Sequence, residues 1–523
     1  MITLLDYGAG NVRSVINAIE KLGETVRVAA SDRDIVNAEK LVFPGVGSFG
    51  SMMTILHEKR FVEPLLAFLN SGRPFLGICV GMQALFEGSE ESPEVKGLGV
   101  LPGRVQRFTV DLSVPHIGWN GIRVQRPTHL FEGLDGDEKL YFVHSYHAVA
   151  DDPATVLTLT DYGYPFVSAV QKGDILGTQF HPEKSGATGL KLLENFIREE
   201  RRITIPEKCP GQTRLAKRII ACLDVRANDR GDLVVTKGDQ YDVREAGNVR
   251  NLGKPVELAG RYFEEGADEV TFLNITGFRD FPLADMPMIQ VLKETSKNVF
   301  VPLTIGGGIR DFTDKNGRSY TALEVADEYF RSGADKISIG SDAVLIVEEY
   351  LKSGKKSGKS AIEQISFVYG NQAVVISIDP RRVYVTSPDE TSHPTVETAA
   401  PGPKGERYCW FQCTINGGRE GRDVDAITLA RSCEELGAGE ILLNCIDRDG
   451  TNQGFDIELV NAVKKAVTIP VIASSGAGCE AHFAEVFQNT DAESALAAGI
   501  FHRREVLIAA VKDYLKDKVE VRL

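Results

Sequence analysis

The stretch EEGADEVTFLNIT (264–276) returns later in the chain as EELGAGEILLNCID (434–447), with charge, glycine and aliphatic run in the same order. Two more pairs match: IIACLDV with VVISIDP, and VPLTIGGGI with IPVIASSGAG. An internal repeat of this kind limits the fold more than any composition does, because each copy must build the same unit. The first copy holds aliphatic runs around ACLDV, VTFLNIT, VPLTIGG and KISIGS. The second holds VVISIDP, ILLNCID, IPVIASS and LAAGIF. The runs are nearly unbroken in Val, Ile and Leu, as strands buried on both faces require. Helix-compatible segments separate them. Eight such units predict a (β/α)8 barrel over residues 214–523. GNVRNLGKP with its upstream loop, KSGKKSGKS and SPDETSHPTVETAAPGPKGE interrupt the pattern; the last two are read as surface insertions.

Upstream of residue 205 the pattern changes. Short apolar strands (ITLLDYG, KLVFPGVG, RPFLGICVG) alternate with amphipathic helices such as VRSVINAIEKLG, which predicts an α/β sheet covered by helices. YFVHSYHAV and DILGTQFHPE fit an added, partly antiparallel region. The predicted organisation is therefore an α/β domain over 1–203, a Pro- and Gly-broken linker over 204–213, and the barrel over 214–523. With 523 residues and a formal charge of -14, the chain lacks the basic face a nucleic-acid partner needs. Eight cysteines without zinc-ligand spacing are expected as reduced thiols in the cytoplasm. No metal is expected. No apolar run approaches a membrane span, and MITLLDYGAGNV reads as strand and turn rather than a signal segment.

In GICVGMQ (77–83), Cys79 stands between Gly77 and Gly81 where a buried strand should stop. A lone cysteine in such a chain is by default a small core residue. Gly-x-Cys-x-Gly is instead the thiol form of the nucleophile elbow, a sharp strand-to-helix turn with the reactive side chain at its tip. The helix predicted over MQALFEG would aim its positive end at the thiolate. A base and its orienter are expected from QFHPEK: His181 and Glu183, at i and i+2, share one face of an extended segment. The amide of Val80 and the backbone of PGVG near Gly45 and Val46 are the expected oxyanion donors.

PGVG, GICVGMQ and QFHPEKS together resemble a class I glutamine amidotransferase. PHIGWN (115–120) and YFVHSY (141–146) resemble the glutaminase of the imidazole glycerol phosphate synthases in particular. The resemblance covers residues 1 to 200. It implies that Cys79 attacks the carboxamide of glutamine and releases ammonia, with Gln83 helping to hold glutamine. His116 and His144 are read as structural.

In the barrel, strand C-termini carry the chemistry. Asp224 and Asp379 stand at repeat-equivalent ends and suit paired acid and base work. Glycine-rich turns follow strands three and four (Gly306–Gly308, then Gly340 and Ser341). Others follow strands seven and eight (SSGAG with Gly476, then Ala498 and Gly499). Paired cradles imply a substrate with a phosphate at each end. LAKRIIACLDV, GGGIRD, NCIDRDGT and GIFHRREV resemble the cyclase of the same family across residues 214 to 523, so the whole chain resembles its fused form in histidine biosynthesis. The resemblance implies cyclisation of a phosphoribulosyl-formimino-aminoimidazole carboxamide ribotide to imidazole glycerol phosphate and an aminoimidazole carboxamide ribotide, without a cofactor. It makes Lys237 a loop lysine on substrate, and places Asp449 and Gly450 near the second phosphate; Gly308 belongs to the first cradle. It makes Arg218, Glu269, Lys336 and Glu440 a charged gate at the barrel floor, and Lys184 and Asp335 an interface pair. Asn274 replaces the Asp common at that position, so no proton transfer is assigned there. Since both activities lie on one chain, no separate glutaminase subunit is needed and a monomer is expected. The alternatives are a glutaminase feeding a different phosphorylated acceptor, such as a pyridoxal-phosphate synthase-like barrel that would carry a strand-end lysine, and an inactive scaffold, which would have lost the triad or cradles.

Overall fold

The computed structural model describes the whole chain except residues 199–201, 229–231, 237–243, 246–247, 250–251, 276–282 and 284–285. Its first part is a sheet ordered Val26–Val28, Ile2–Leu4, Leu41–Gly45, Phe75–Cys79 and Ile175–Thr178, all parallel, continued by antiparallel strands Tyr164–Lys172, Val156–Tyr162 and Arg123–Val124. Helices cover it through one apolar face each. In Val12–Lys21 that face is Val12, Val15, Ala18 and Ile19, and Asn11 caps the helix by accepting the Ser14 N–H.

The second part closes as expected. Strands Arg218–Ala227, Glu269–Asn274, Leu303–Gly306, Lys336–Ile339, Val374–Ile378, Glu440–Asn444, Val471–Ser474 and Ser494–Ala497 pair in parallel, and the last returns to the first. Two boundaries move. The eighth strand lies earlier than LAAGIF, which turns into the short helix Gly499–His502. The helix after Cys79 is the single turn Val80–Gln83 rather than MQALFEG. The interruption after the fifth strand also has structure of its own. Pro380–Val385, Val396–Glu397, Tyr408–Ile415 and Glu420–Asp425 form an antiparallel sheet, with most of SPDETSHPTVETAAPGPKGE looping between its strands. KSGKKSGKS is exposed between two helices, and part of GNVRNLGKP lies outside the described residues.

The α/β domain docks on the floor of the barrel. Trp119 Nε1 donates to the Asp268 carbonyl at 3.0 Å, Asn17 to Ser296 Oγ at 2.9 Å, and the Gly186 N–H to the Phe300 carbonyl at 2.9 Å. The Val114 N–H reaches Thr468 O at 3.1 Å. Each barrel partner precedes a strand, so all lie at the N-terminal ends. Lys184 Nζ sits 2.7 Å from Asp335 Oδ2, with the lysine side chain 2 % exposed, and Asn11 Nδ2 donates to the other Asp335 oxygen at 2.7 Å. Lys184 and Asp335 thus meet where the two parts of the chain touch. The connection is held down rather than loose: Thr204 and Thr128 exchange both backbone hydrogen bonds, the Lys208 N–H reaches Asp135 O, and the Thr213 N–H reaches Asp161.

Candidate active sites and the passage between them

Cys79 ends its strand with φ 54° and ψ -110°, a left-handed conformation that a side chain adopts only when its surroundings enforce it. Backbone packing does so here. A Cβ on Gly77 would lie 2.6 Å from Gly81 O, one on Gly81 2.1 Å from Phe43 O, and one on Gly45 2.3 Å from the Gly81 nitrogen. The elbow therefore rests directly on the neighbouring strand, with Gly45 in register with Cys79, and only glycine fits at the three contacts.

His181 Nδ1 lies 2.8 Å from Glu183 Oε1, both side chains buried. That leaves Nε2 as the ring nitrogen available to Cys79. Burial alone would lower the imidazole pKa; the Glu183 carboxylate and the Cys79 thiol outweigh it and hold it well above the usual histidine value. The shift favours the protonated ring. Gln179 was not singled out by sequence, although it lies two residues before His181 in the same extended run. Its Nε2 donates to Cys79 Sγ at 3.4 Å, and its Oε1 accepts from Gln83 Nε2 at 3.0 Å. Gln83 also donates to the Tyr146 carbonyl at 3.0 Å. Glu91 is a second addition: burial raises its carboxyl, the Phe49 N–H at 2.7 Å draws it back, and Phe49 follows the PGVG strand closely.

Val80 opens the turn that follows Cys79. Val46, expected to aim a second N–H at the site, has that group engaged elsewhere. It donates to Tyr7 Oη at 3.2 Å, and the same hydroxyl donates to the Val46 carbonyl. Tyr7 is buried and edge-on to Phe43 at 6.1 Å. His116 and His144 are structural: His116 Nδ1 and His144 Nε2 are 3.1 Å apart among aromatic rings, and burial pushes both down, His144 to about 3.

At the barrel floor Arg218, Glu269, Lys336 and Glu440 form a closed ring with no exposed surface. Arg218 bonds Glu269 at 2.9 Å and also bonds Glu440; Lys336 bonds Glu269 at 2.8 Å and Glu440 at 2.6 Å. Burial alone would raise Glu440; Arg218 and Lys336 override it and hold it below its ordinary value. Lys336→Met leaves the two buried carboxylates sharing Arg218, with one negative charge uncompensated, and is expected to cost about 3–5 kcal/mol, measured by urea denaturation; an unchanged midpoint would refute the ring's structural role. Two residues further along the strands, the inside of the barrel is apolar: Ile220, Cys222, Val375, Leu442, Ile472 and Leu496 pack together there.

Cys222 and Leu496 of this cluster also line a cavity of about 370 Å³ at the strand C-termini. Asp224 and Asp379 both line it, with Asp449, Gly450, Gly476, Ala498 and Gly499. Gly308, Gly340 and Ser341 are not among its lining residues. Ser341 Oγ does accept the Asn416 N–H at 3.1 Å, and the adjacent Gly417 lines the cavity. Lys237 lies outside the described residues. Burial pushes the Asp379 carboxyl up, Asn444 Nδ2 at 2.9 Å pulls it back, and the Asp449 charge adds to the rise. Asn444 is the strand-end amide that sequence did not pick out. The one it named, Asn274, is absent from the lining and hydrogen-bonds Tyr329 among the outer helices. The inward place on that strand belongs to Leu273, since a step of one residue reverses the face. Among the described residues no group of three or more His, Cys, Asp or Glu could hold a metal ion, and no helix is long and apolar enough to cross a membrane.

Two family models match the chain: glutamine amidotransferase class-I over residues 3–199 and histidine biosynthesis protein over 218–507. Three full-length relatives are similar to it. The chloroplastic imidazole glycerol phosphate synthase hisHF of Arabidopsis thaliana is 58% identical over all of this chain and 90% of its own length. The hisHF proteins of Schizosaccharomyces pombe and Emericella nidulans are 57% and 53% identical, each aligned over 98% of its own length and over 98% and 99% of this chain respectively.

Proposed function

The chain belongs to the imidazole glycerol phosphate synthases, in the fused form that joins a glutaminase to a cyclase of histidine biosynthesis, and from that premise we propose how its residues divide the work. Cys79 attacks the glutamine carboxamide as a thiolate. His181, held protonated and oriented by Glu183, delivers its proton to the departing ammonia and then draws one from the water that frees the enzyme. Gln179, beside the sulfur, and Gln83, bonded to Gln179, shape the glutamine site, with Val80 as the first oxyanion donor. Ammonia passes the four-residue ring into the apolar interior of the barrel, whose side chains favour the neutral molecule over ammonium. At the cavity it condenses with the ribotide. Asp379, whose carboxyl is pushed towards its protonated form, acts as acid there and Asp224 as base. The backbone turns at Gly476, Ala498 and Gly499 hold one phosphate, with Asp449 and Gly450 beside it. Gly308, Gly340 and Ser341 hold the other, and Lys237 contacts the substrate.

The observation that carries this reading is the apolar cluster inside the barrel, which lies between the floor ring and the cavity holding both aspartates. Its test is isotopic. With 15N-amide glutamine and excess unlabelled ammonium near neutral pH, imidazole glycerol phosphate should carry the glutamine nitrogen almost undiluted. Label diluted to the bulk ratio would mean that ammonia leaves and re-enters, and the passage would be rejected.

Tyr7 enters this scheme as a restraint on the oxyanion site. Tyr7→Phe frees the Val46 N–H, and basal glutamine hydrolysis without ribotide is expected to rise about three- to tenfold. A glutaminase assay checks this; a basal rate that is unchanged or lower would show that Tyr7 does not hold the amide back. The domain limits proposed are 1–203, 204–213 and 214–523. The proposed setting is a monomer in the cytosol, in keeping with eight cysteines that are all free thiols.

A further inference from the structure

The cyclase cavity poses an electrostatic problem. A substrate with two phosphates must enter a space lined by the carboxylates of Asp224, Asp379 and Asp449. Among the described lining residues one side chain is a Lys or Arg: Arg503. His502 beside it is pushed down to about 3 by burial, with Arg261 and Arg503 adding to the fall, so it brings no charge. The backbone turn at Ala498 and Gly499 leads into a helix of only four residues, Gly499–His502, which has little dipole to offer an anion.

Arg503 is placed to make up the difference. Its guanidinium is forked onto Glu505, with Nε to Oε1 at 2.7 Å and Nη2 to Oε2 at 2.8 Å. That fork occupies one edge of the planar group and leaves Nη1, which lies over the cradle: a Cβ on Gly499 would come 2.8 Å from it. Gly499 thus has a second reason to be glycine, since any side chain there would push the guanidinium off the turn. The Arg503 side chain is 37% exposed and that of Glu505 47%, so the pair contributes little stability. Its effect is to fix the direction of Nη1. A guanidinium held by one edge and open at the other suits a phosphate oxygen.

We propose that Arg503 is a specificity-determining residue for the ribotide, its Nη1 closing the backbone cradle at Ala498 and Gly499 over a phosphate while Glu505 positions it. This rests on the cyclase reading above. The charge is what makes a dianionic group preferable to a neutral one in a cavity otherwise negative.

The test is steady-state cyclisation with ammonium as nitrogen donor, which bypasses Cys79, at low and high ionic strength. Arg503→Gln should raise the KM for the ribotide about ten- to fiftyfold with a much smaller change in kcat, and should flatten the salt dependence of KM. Arg503→Lys should recover most of the loss, and Glu505→Gln should raise KM about threefold. A KM for Arg503→Gln within twofold of the parent, or a loss that Arg503→Lys does not reduce, would overturn the assignment. Calorimetric titration with inorganic phosphate separates the two levels of the argument. If the parent does not turn over the ribotide, the cyclase reading fails; phosphate binding that weakens at least fivefold in Arg503→Gln would still support the anion site, and equal binding by parent and variant would reject it.

Discussion

Cys79→Ala is expected to end glutamate release from glutamine, with a loss of at least about a thousandfold, while ammonium at alkaline pH still supports cyclisation. The size of the effect follows from the geometry: no other thiol lies in the elbow, and His181 and Glu183 have no chemistry without a nucleophile to serve. Alanine is smaller than cysteine and free of charge, so the turn at Gly77 and Gly81 is left with only its φ of 54° to maintain. Glutamate release and ribotide consumption, measured separately with each nitrogen donor, check the outcome. Failure with both donors would mean that the elbow also supports the barrel. Continued turnover with glutamine would remove Cys79 as the nucleophile.

Asp379→Asn is expected to lower cyclisation by about 10²–10⁴ in kcat with either nitrogen donor, while glutamine hydrolysis continues. Asparagine keeps an oxygen for the Asn444 amide at nearly the same place, so the change removes a proton rather than a shape. The pH profile adds a second check. The folded carboxyl is raised above its ordinary value by burial and by Asp449, so an acid role makes the parent rate fall as pH rises through that raised pKa. In Asp379→Asn this limb should vanish. A variant retaining a tenth or more of the parent kcat, or the same alkaline limb, would assign the acid elsewhere.

The barrel was legible because its repeat is written in strand cores, where packing allows few residue types. The ring came from the family resemblance; the letters alone showed only that Arg218, Glu269, Lys336 and Glu440 each open a strand, which fits the N-terminal face. Cys79, His181 and Glu183 stood out through their glycines and spacing. What escaped notice depends on side-chain direction and on contacts distant in sequence. Asn274 and Asn444 look alike as letters, yet one faces the outer helices and the other the cavity. Tyr7 touches Val46 across 39 positions, and its preceding strand gives no sign of that. Arg503 looks like one of two adjacent surface arginines until Gly499 and Glu505 are seen around it.

The pinned connection between the domains has a consequence for how the enzyme behaves on dilution. With Thr204, Lys208 and Thr213 all bonded to the first domain, the second begins already seated, and association is a property of the chain rather than of its concentration. A pair of separate subunits has a dissociation constant below which coupled turnover fades. Fusion removes that constant for the glutaminase and cyclase of one chain, so dilution alone should not part them, and the two activities are made in equal number.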